Sequence, residues 1–207
     1  MKSDIDINGI NSFHLDVLRE IGNIGAGNAA TALAKLLDKR IEMKVPQIRV
    51  MKFSDVSDVL GGAESEVVGI LLGVTGDITG NIMFVLDLVS ARRLVNILMG
   101  NPLDQEIEFG SMESSALQEV GNILAGAYLS SLSNLTNLRI ISDVPGIAID
   151  MAGAILSVPA IEFGRNSDTV LYIENEFTYG KDSVVGDFFL VPDKASYIRL
   201  LNALGVA

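Results

Sequence analysis

A glutamate and an asparagine stand three residues apart at two places in the chain. The first pair is Glu20 and Asn23, and the second is Glu119 and Asn122. A carboxamide stays neutral at every physiological pH and can accept a hydrogen bond from water, while a carboxylate can pair with a lysine. With no cysteine and one histidine in 207 residues, thiolate chemistry, paired-histidine catalysis and Cys/His zinc sites are largely excluded. Carboxylates, amides and hydroxyls must therefore carry any reaction.

The segments that contain the two pairs are copies of one another. Residues 16–31 read DVLREIGNIGAGNAAT and residues 115–130 read SALQEVGNILAGAYLS, with seven of sixteen positions identical at an offset of 99. Pro46 and Pro145 keep the same offset, and residues 90–100 resemble residues 195–205. A single repeat of this length predicts two halves, about 11–108 and 109–207, that share one core around a pseudo-twofold axis.

Each half follows the same predicted order of elements. A long helix opens it, two extended segments and a shorter helix follow, then two strands joined by a turn, and a helix closes it. The expected ranges in the first half are 13–37, 40–44, 47–52, 54–60, 66–75, 78–87 and a helix from Ser90 to Gly100. Those in the second half are 112–134, 138–142, an extended stretch after Pro145, 149–163, 169–177, 184–191 and a helix after Asp193.

Individual residues are expected to start or stop these helices. Ser111, Ser90 and Asp193 are predicted N-caps, and Pro159 should bend or end the helix over residues 149–163. Together, the predicted helices and strands of the two halves indicate an α+β fold. Its long helices would pack on a mainly antiparallel sheet, in a single domain over residues 1–207.

On a helix the two repeated segments each place polar residues on one strip about 80° wide. We call these the polar strips; they comprise Asp16, Glu20, Asn23, Gly27 and Thr31 in the first copy, and Ser115, Glu119, Asn122, Gly126 and Ser130 in the second. Glycine inside a helix costs roughly 1 kcal/mol against alanine, so a glycine on the outer strip indicates that something approaches the backbone there. The alternative is an ordinary solvated surface, with Gly22 and Gly121 serving close helix packing.

The pattern of the two strips resembles a known family. Asp or Ser, three residues, Glu, two residues, Asn, twenty-two residues and Pro occurs twice, ending at Pro46 and at Pro145. This pattern is similar to the paired signature of the CheC family of bacterial chemotaxis phosphatases, which is related to CheX and to the FliY switch protein. The resemblance implies dephosphorylation of the response regulator CheY, whose phosphoryl group is an aspartyl acyl phosphate beside a bound Mg²⁺.

The resemblance also implies roles for the strip residues. Asn23 and Asn122 would orient an in-line water, and Glu20 and Glu119 would reach a lysine at the regulator's phosphorylation site. Asp16 and Ser115 would contact the rim of the docked regulator, and Gly27 and Gly126 would leave room for its loops. The protein would need no cofactor of its own, because the Mg²⁺ belongs to the partner.

A second partner follows from the same resemblance. The receptor deamidase CheD would dock on residues 149–154, expected to be an apolar helix with an acidic start at Asp150. The alternative for this segment is an ordinary helix that faces the core.

Charge and hydropathy exclude other classes of function. A net charge of −11 leaves no basic surface for nucleic acid, and no apolar run approaches the roughly 20 residues of a membrane span. A soluble, cytoplasmic protein is expected. The GNIGAGN string at residues 22–28 follows a helical pattern rather than a strand, which argues against a phosphate-binding loop, and His14 has no second ligand nearby. The competing hypothesis is a non-catalytic flagellar-switch or adaptor module of the same fold.

Overall fold

Helices and strands alternate in the order that the sequence predicts. The computed structural model describes residues 12–38, 40–45, 47–163, 169–180 and 182–205. In the first half these form α1 (Ser12–Leu37), β1 (Glu42–Lys44), β2 (Ile48–Lys52), α2 (Val56–Val59), β3 (Glu66–Gly76), β4 (Gly80–Asp87) and α3 (Leu88–Met99). In the second half they form α4 (Ser111–Thr136), β5 (Ile140–Ser142), β6 (Gly146–Met151), α5 (Ala152–Phe163), β7 (Thr169–Tyr179), β8 (Asp182–Pro192) and α6 (Lys194–Ala203). The α+β prediction is confirmed.

The eight strands of the described residues form one antiparallel sheet that joins the two halves. Its order is β1-β7-β8-β4-β3-β5, with β2 also paired to β7 and β6 also paired to β3. The first two strands of each half therefore pair with the hairpin of the other half, and β4 pairs with β8 at the centre. Exchanging the halves leaves this order unchanged. The exact limits of the two repeats stay a prediction.

Both faces of the sheet carry apolar side chains, because helices cover both. Phe84 and Phe188 point into the larger core, beneath α1 and α4, while Met83 and Phe189 point into a smaller core beneath α2 and α5. Alternation along a strand thus sends neighbouring residues into different cores, which explains the long apolar runs. The layer formed by α1 and α4 carries the polar strips.

Buried glycines let these two long helices lie close to their neighbours. A Cβ on Gly22 would stand 2.5 Å from Ile48 Cδ1, and one on Gly121 would stand 2.6 Å from Ile70 Cγ2. On α1, Gly25 faces the ring of Tyr128, whose hydroxyl donates a hydrogen bond to Asn175 Oδ1. The inner faces are therefore fixed by packing, which turns the polar strips outward.

Two of the predicted N-caps are wrong, by three positions for α3 and by one position for α4. Helix α3 begins after Asp87, whose carboxylate accepts hydrogen bonds from Ser90 N at 2.8 Å and Ser90 Oγ at 2.7 Å. Helix α4 is capped at Gly110, whose N–H donates to Glu113 Oε2 at 3.0 Å, and Ser111 is its first residue. A carboxylate that can reach an unpaired N–H thus decides the start in both cases. The Asp193 cap is confirmed.

The prediction that residues 149–151 are helical is also wrong. Ile149 and Asp150 pair with Val68 and Val67 of β3, and α5 begins at Ala152. Local periodicity cannot separate a short apolar strand from the start of a helix, and here the ladder with β3 decides. Helix α5 also continues through Pro159 to Phe163, so this proline does not end it.

A half-buried carboxyl group on the smaller core's side of the sheet provides a stability prediction. Asp187 on β8 lies opposite Glu174 on β7, and Tyr172 Oη stands 2.8 Å from Asp187 Oδ1 and 3.3 Å from Glu174 Oε2. Burial raises the pKa of Asp187 to about 6; the Tyr172 hydrogen bond opposes this rise, while the carboxylates of Glu174 and Asp87 add to it. The folded protein therefore holds this proton more tightly than the unfolded chain does.

We expect Asp187→Asn to stabilise the protein at pH 7.5. As the pH rises from about 4 to about 6, the unfolded chain releases the Asp187 proton before the folded protein does. The free energy of unfolding therefore falls by about 2–3 kcal/mol over this rise in pH. Asparagine keeps an oxygen that can accept from Tyr172 and removes the charge. Urea unfolding should show a gain of about 2 kcal/mol at pH 7.5 that nearly disappears at pH 4. An equal gain at both pH values would contradict this account.

Candidate functional site

The four residues of the two Glu–Asn pairs are exposed on the outer surface of the helix layer. Glu20 and Asn23 lie on α1, and Glu119 and Asn122 lie on α4. Within the part of the chain that the structure describes, none of these four side chains takes part in a hydrogen bond or ion pair. They are thus available to a partner without first breaking a contact of the fold.

The glycines of the polar strips lie against open space. A Cβ placed on Gly27 or on Gly126 would meet nothing within 4 Å, in contrast to the close contacts at Gly22 and Gly121. The surface is therefore open beyond the Glu–Asn pair on each helix, and packing inside the molecule gives no reason for these glycines. The alternative of an ordinary solvated surface explains Gly22 and Gly121, which pack closely, but it does not explain Gly27 and Gly126.

The rims of the two strips differ in charge and in hydrogen bonding. On α1, Asp16 Oδ1 pairs with Arg19 NH1 at 2.9 Å. On α4, Ser115 Oγ donates to the Ser111 carbonyl at 2.7 Å, and Gln118 Nε2 donates to the Pro145 carbonyl at 3.0 Å. The rim of the first strip therefore presents an exposed ion pair, while that of the second is uncharged at the matching positions.

The two strips belong to one helix layer. Asn28 Nδ2 on α1 donates to Ser131 Oγ on α4 at 3.3 Å, and Gly25 packs on Tyr128 as described above. Since α1 and α4 contact each other and share the larger core, a shift of one helix would displace side chains that pack against the other. Two sites of the same kind thus lie on one layer of two contacting helices.

The remaining predicted residues lie elsewhere or outside the described residues. Asp150 is exposed on β6 rather than on either long helix, and its carboxylate accepts from the neighbouring Met151 N–H at 2.7 Å. Pro46 and the side chain of His14 are outside the residues that the structure describes. Pro145, the second motif proline, accepts the hydrogen bond from Gln118.

Sequence reasoning missed one apolar feature of the site. Ile24, next to Asn23, is 38% exposed, and the matching Ile123 is half-buried beside Asn122. The signal was available, because isoleucine stands at this position in both copies of the repeat. An apolar side chain next to each asparagine can exclude water from one side of a docked partner.

Neither a metal site nor a membrane helix is found in the described part of the chain. There, no group of three or more His, Asp or Glu side chains is placed to hold a metal ion. No helix among those residues is long and apolar enough to cross a bilayer.

Comparison with known proteins identifies the family. The model of the CheC-like family matches residues 13–49 and 112–149, the segments that contain the two polar strips. The CheY-P phosphatase CheC of Bacillus subtilis is 38% identical over 205 residues, which cover 97% of this chain and 98% of that protein. The flagellar motor switch phosphatase FliY of the same organism is 25% identical over 145 residues, 70% of this chain and 38% of that protein.

A solved structure agrees with the fold. The crystal structure of FliY from Thermotoga maritima superposes with a TM-score of 0.75 at 24% identity, over 95% of this chain and 98% of that one. The 38% identity to CheC along nearly the full length of both chains, together with the match to the family model, shows that the chain belongs to the CheC-like family.

Proposed function

We propose that this protein is a phosphatase that hydrolyses the aspartyl phosphate of a phosphorylated CheY response regulator. The observation that carries the proposal is the pair of exposed Glu–Asn sets, one on each long helix, each followed by a glycine with open space beside it. Further support comes from the Bacillus subtilis relative, whose name states this activity.

An acyl phosphate needs little from its catalyst beyond a well-placed water. The carbonyl-phosphate bond is already activated, and the Mg²⁺ in the regulator neutralises charge on the phosphoryl oxygens. Asn23 or Asn122 would accept a hydrogen bond from one water molecule and hold it in line with phosphorus. The water oxygen bonds to phosphorus as the phosphorus–oxygen bond to the aspartate breaks. The aspartate regains its free carboxylate, and inorganic phosphate leaves with the protons of the water molecule.

The glutamates would hold the regulator in the orientation that this step needs. Glu20 and Glu119 lie three residues, slightly less than one helical turn, before the asparagines, so a carboxylate and a carboxamide share one face of each helix. A lysine at the regulator's phosphorylation site would pair with the carboxylate. Such a pair gains strength when the interface excludes water, compared with well under 1 kcal/mol for an exposed pair.

The test is the decay of phosphorylated CheY in the presence of Mg²⁺, with and without the purified protein. We expect faster phosphate release that saturates with CheY-P concentration. Binding without faster release would favour the competing switch or adaptor module instead. If the protein neither binds CheY-P nor accelerates its loss of phosphate, the assignment to CheY is rejected.

We also propose that CheD docks where β6 meets α5. Asp150 is exposed there, and the residues on either side of it along β6 are the exposed apolar Ile149 (42% exposed) and Met151 (48%). Because Asp150 lies in a strand, the contact would involve the sheet edge as well as the helix. We expect Asp150→Lys to abolish a pull-down with CheD while CheY-P hydrolysis continues. Capture that is unchanged in this variant would remove Asp150 from the interface.

A further inference from the structure

The two polar strips are equal in their Glu–Asn pairs and unequal in charge beside them. Arg19 lies four residues before Asn23, one turn away on the same side of α1. The matching residue on α4 is Gln118, and α4 contains no lysine or arginine between Ser111 and Thr136. A cation therefore accompanies one catalytic asparagine and not the other.

The Asp16–Arg19 ion pair contributes little to the stability of the fold. The side chain of Arg19 is 59% exposed and that of Asp16 is 68% exposed. An exposed pair at this spacing stabilises a helix by about 0.2–0.5 kcal/mol. A docking partner can therefore break or share it at small cost, and until then Asp16 holds the guanidinium at the rim of the strip.

Gln118 is committed to the fold in a way that Arg19 is not. Its side chain is half-buried, and its amide donates to the Pro145 carbonyl, which ties α4 to the loop before β6. The α4 strip can thus offer the regulator a carboxylate, a carboxamide and a hydroxyl, with no positive charge. The two helices present chemically different surfaces to the same kind of partner.

The partner's chemistry makes this difference matter. The Mg²⁺ offsets part of the negative charge of the phosphoryl group and of the carboxylates that hold the metal, so any further carboxylate around the site makes the surface of the regulator anionic. This protein carries a net charge of −11, and each strip adds a glutamate at the point of contact. The Arg19 guanidinium, whose charge Asp16 balances in the free protein, can donate hydrogen bonds to a carboxylate of the regulator.

We propose that Arg19, positioned by Asp16, is a specificity-determining residue of the α1 site, which makes that site favour regulators with extra carboxylates around the phosphorylated aspartate. The α4 site does not distinguish regulators by these carboxylates, because Gln118 is uncharged and is hydrogen-bonded to the Pro145 carbonyl. This inference rests on the proposed phosphatase function and adds that the two sites select differently among regulator surfaces.

The experiment isolates the α1 site with Asn122→Ala and compares three further changes in that background. Arg19→Gln installs the residue of the second helix, Arg19→Lys keeps the charge, and Arg93→Gln makes the same change of net charge at an exposed position on α3. We measure kcat and KM for hydrolysis of CheY-P at about 0.05 M and about 0.5 M salt, since added salt screens exposed charges.

We expect Arg19→Gln to lower kcat/KM about fivefold at low salt, mainly through KM, and by less than about twofold at high salt. Arg19→Lys should recover most of the loss, and Arg93→Gln should match the parent. Equal effects of Arg19→Gln and Arg93→Gln, or a loss that salt does not reduce, would overturn the inference alone. If Asn122→Ala has no turnover while the unsubstituted protein does, the α1 site is inactive and this inference is overturned by itself. If the unsubstituted protein does not hydrolyse CheY-P either, the proposed function fails.

Discussion

Replacing Asn23 and Asn122 together by alanine is expected to lower stimulated hydrolysis of CheY-P by about 100-fold or more while CheY-P still binds. Both side chains are exposed and form no hydrogen bond within the described residues, so their loss should not change the fold. Glu20 and Glu119 stay in place to anchor the regulator. Only the group that orders the attacking water is removed, and the effect should therefore fall on kcat.

A matched control separates this role from a general effect of helix surface. Asn134 is an exposed asparagine on α4, three turns beyond Asn122, and Asn134→Ala should leave kcat unchanged. The single variants Asn23→Ala and Asn122→Ala divide the activity between the helices. Phosphate release by the double variant at the rate of the parent protein would reject the carboxamides as the water-orienting groups.

The outward orientation of the polar strips could be predicted because it depends on local periodicity. A residue's position around a helix follows from its number alone, so Asn23 and Gly27 had to share a face, and Gly22 had to lie nearer the core. The close contact of Gly22 with Ile48 and the open space at Gly27 agree with that geometry. The internal repeat strengthened the prediction, since the same arrangement recurs on α4.

The features that could not be predicted depend on contacts between distant parts of the chain. Asp150 lies in a strand because Val67, more than 80 residues away, supplies the ladder. The pairing of each half's first strands with the other half's hairpin has no local signal either. The ion pair of Arg19 with Asp16 is local, and its spacing could have shown it; its importance appears only when Gln118 is seen bound to Pro145.

Placing leucine at both Gly27 and Gly126 is expected to stabilise the fold and to suppress activity, as substitutions at a functional surface can do. Leucine is better than glycine inside a helix by about 0.8 kcal/mol, and a Cβ at either position meets nothing within 4 Å. The free energy of unfolding from urea titration should therefore rise by about 1–2 kcal/mol for the double variant. Hydrolysis of CheY-P should fall at least about tenfold, because a side chain now occupies the space beside each Glu–Asn pair.

Alanine at the same two positions provides the graded comparison. It gives the same gain in helix propensity with one methyl group, so stability should rise as before while activity falls less than with leucine. A partner that approaches the backbone closely requires this order of activities: glycine, then alanine, then leucine. If the leucine variant hydrolysed CheY-P at the parent rate, the regulator would not approach α1 and α4 along the polar strips. The glycines would then need a different explanation from the one that their open surroundings support.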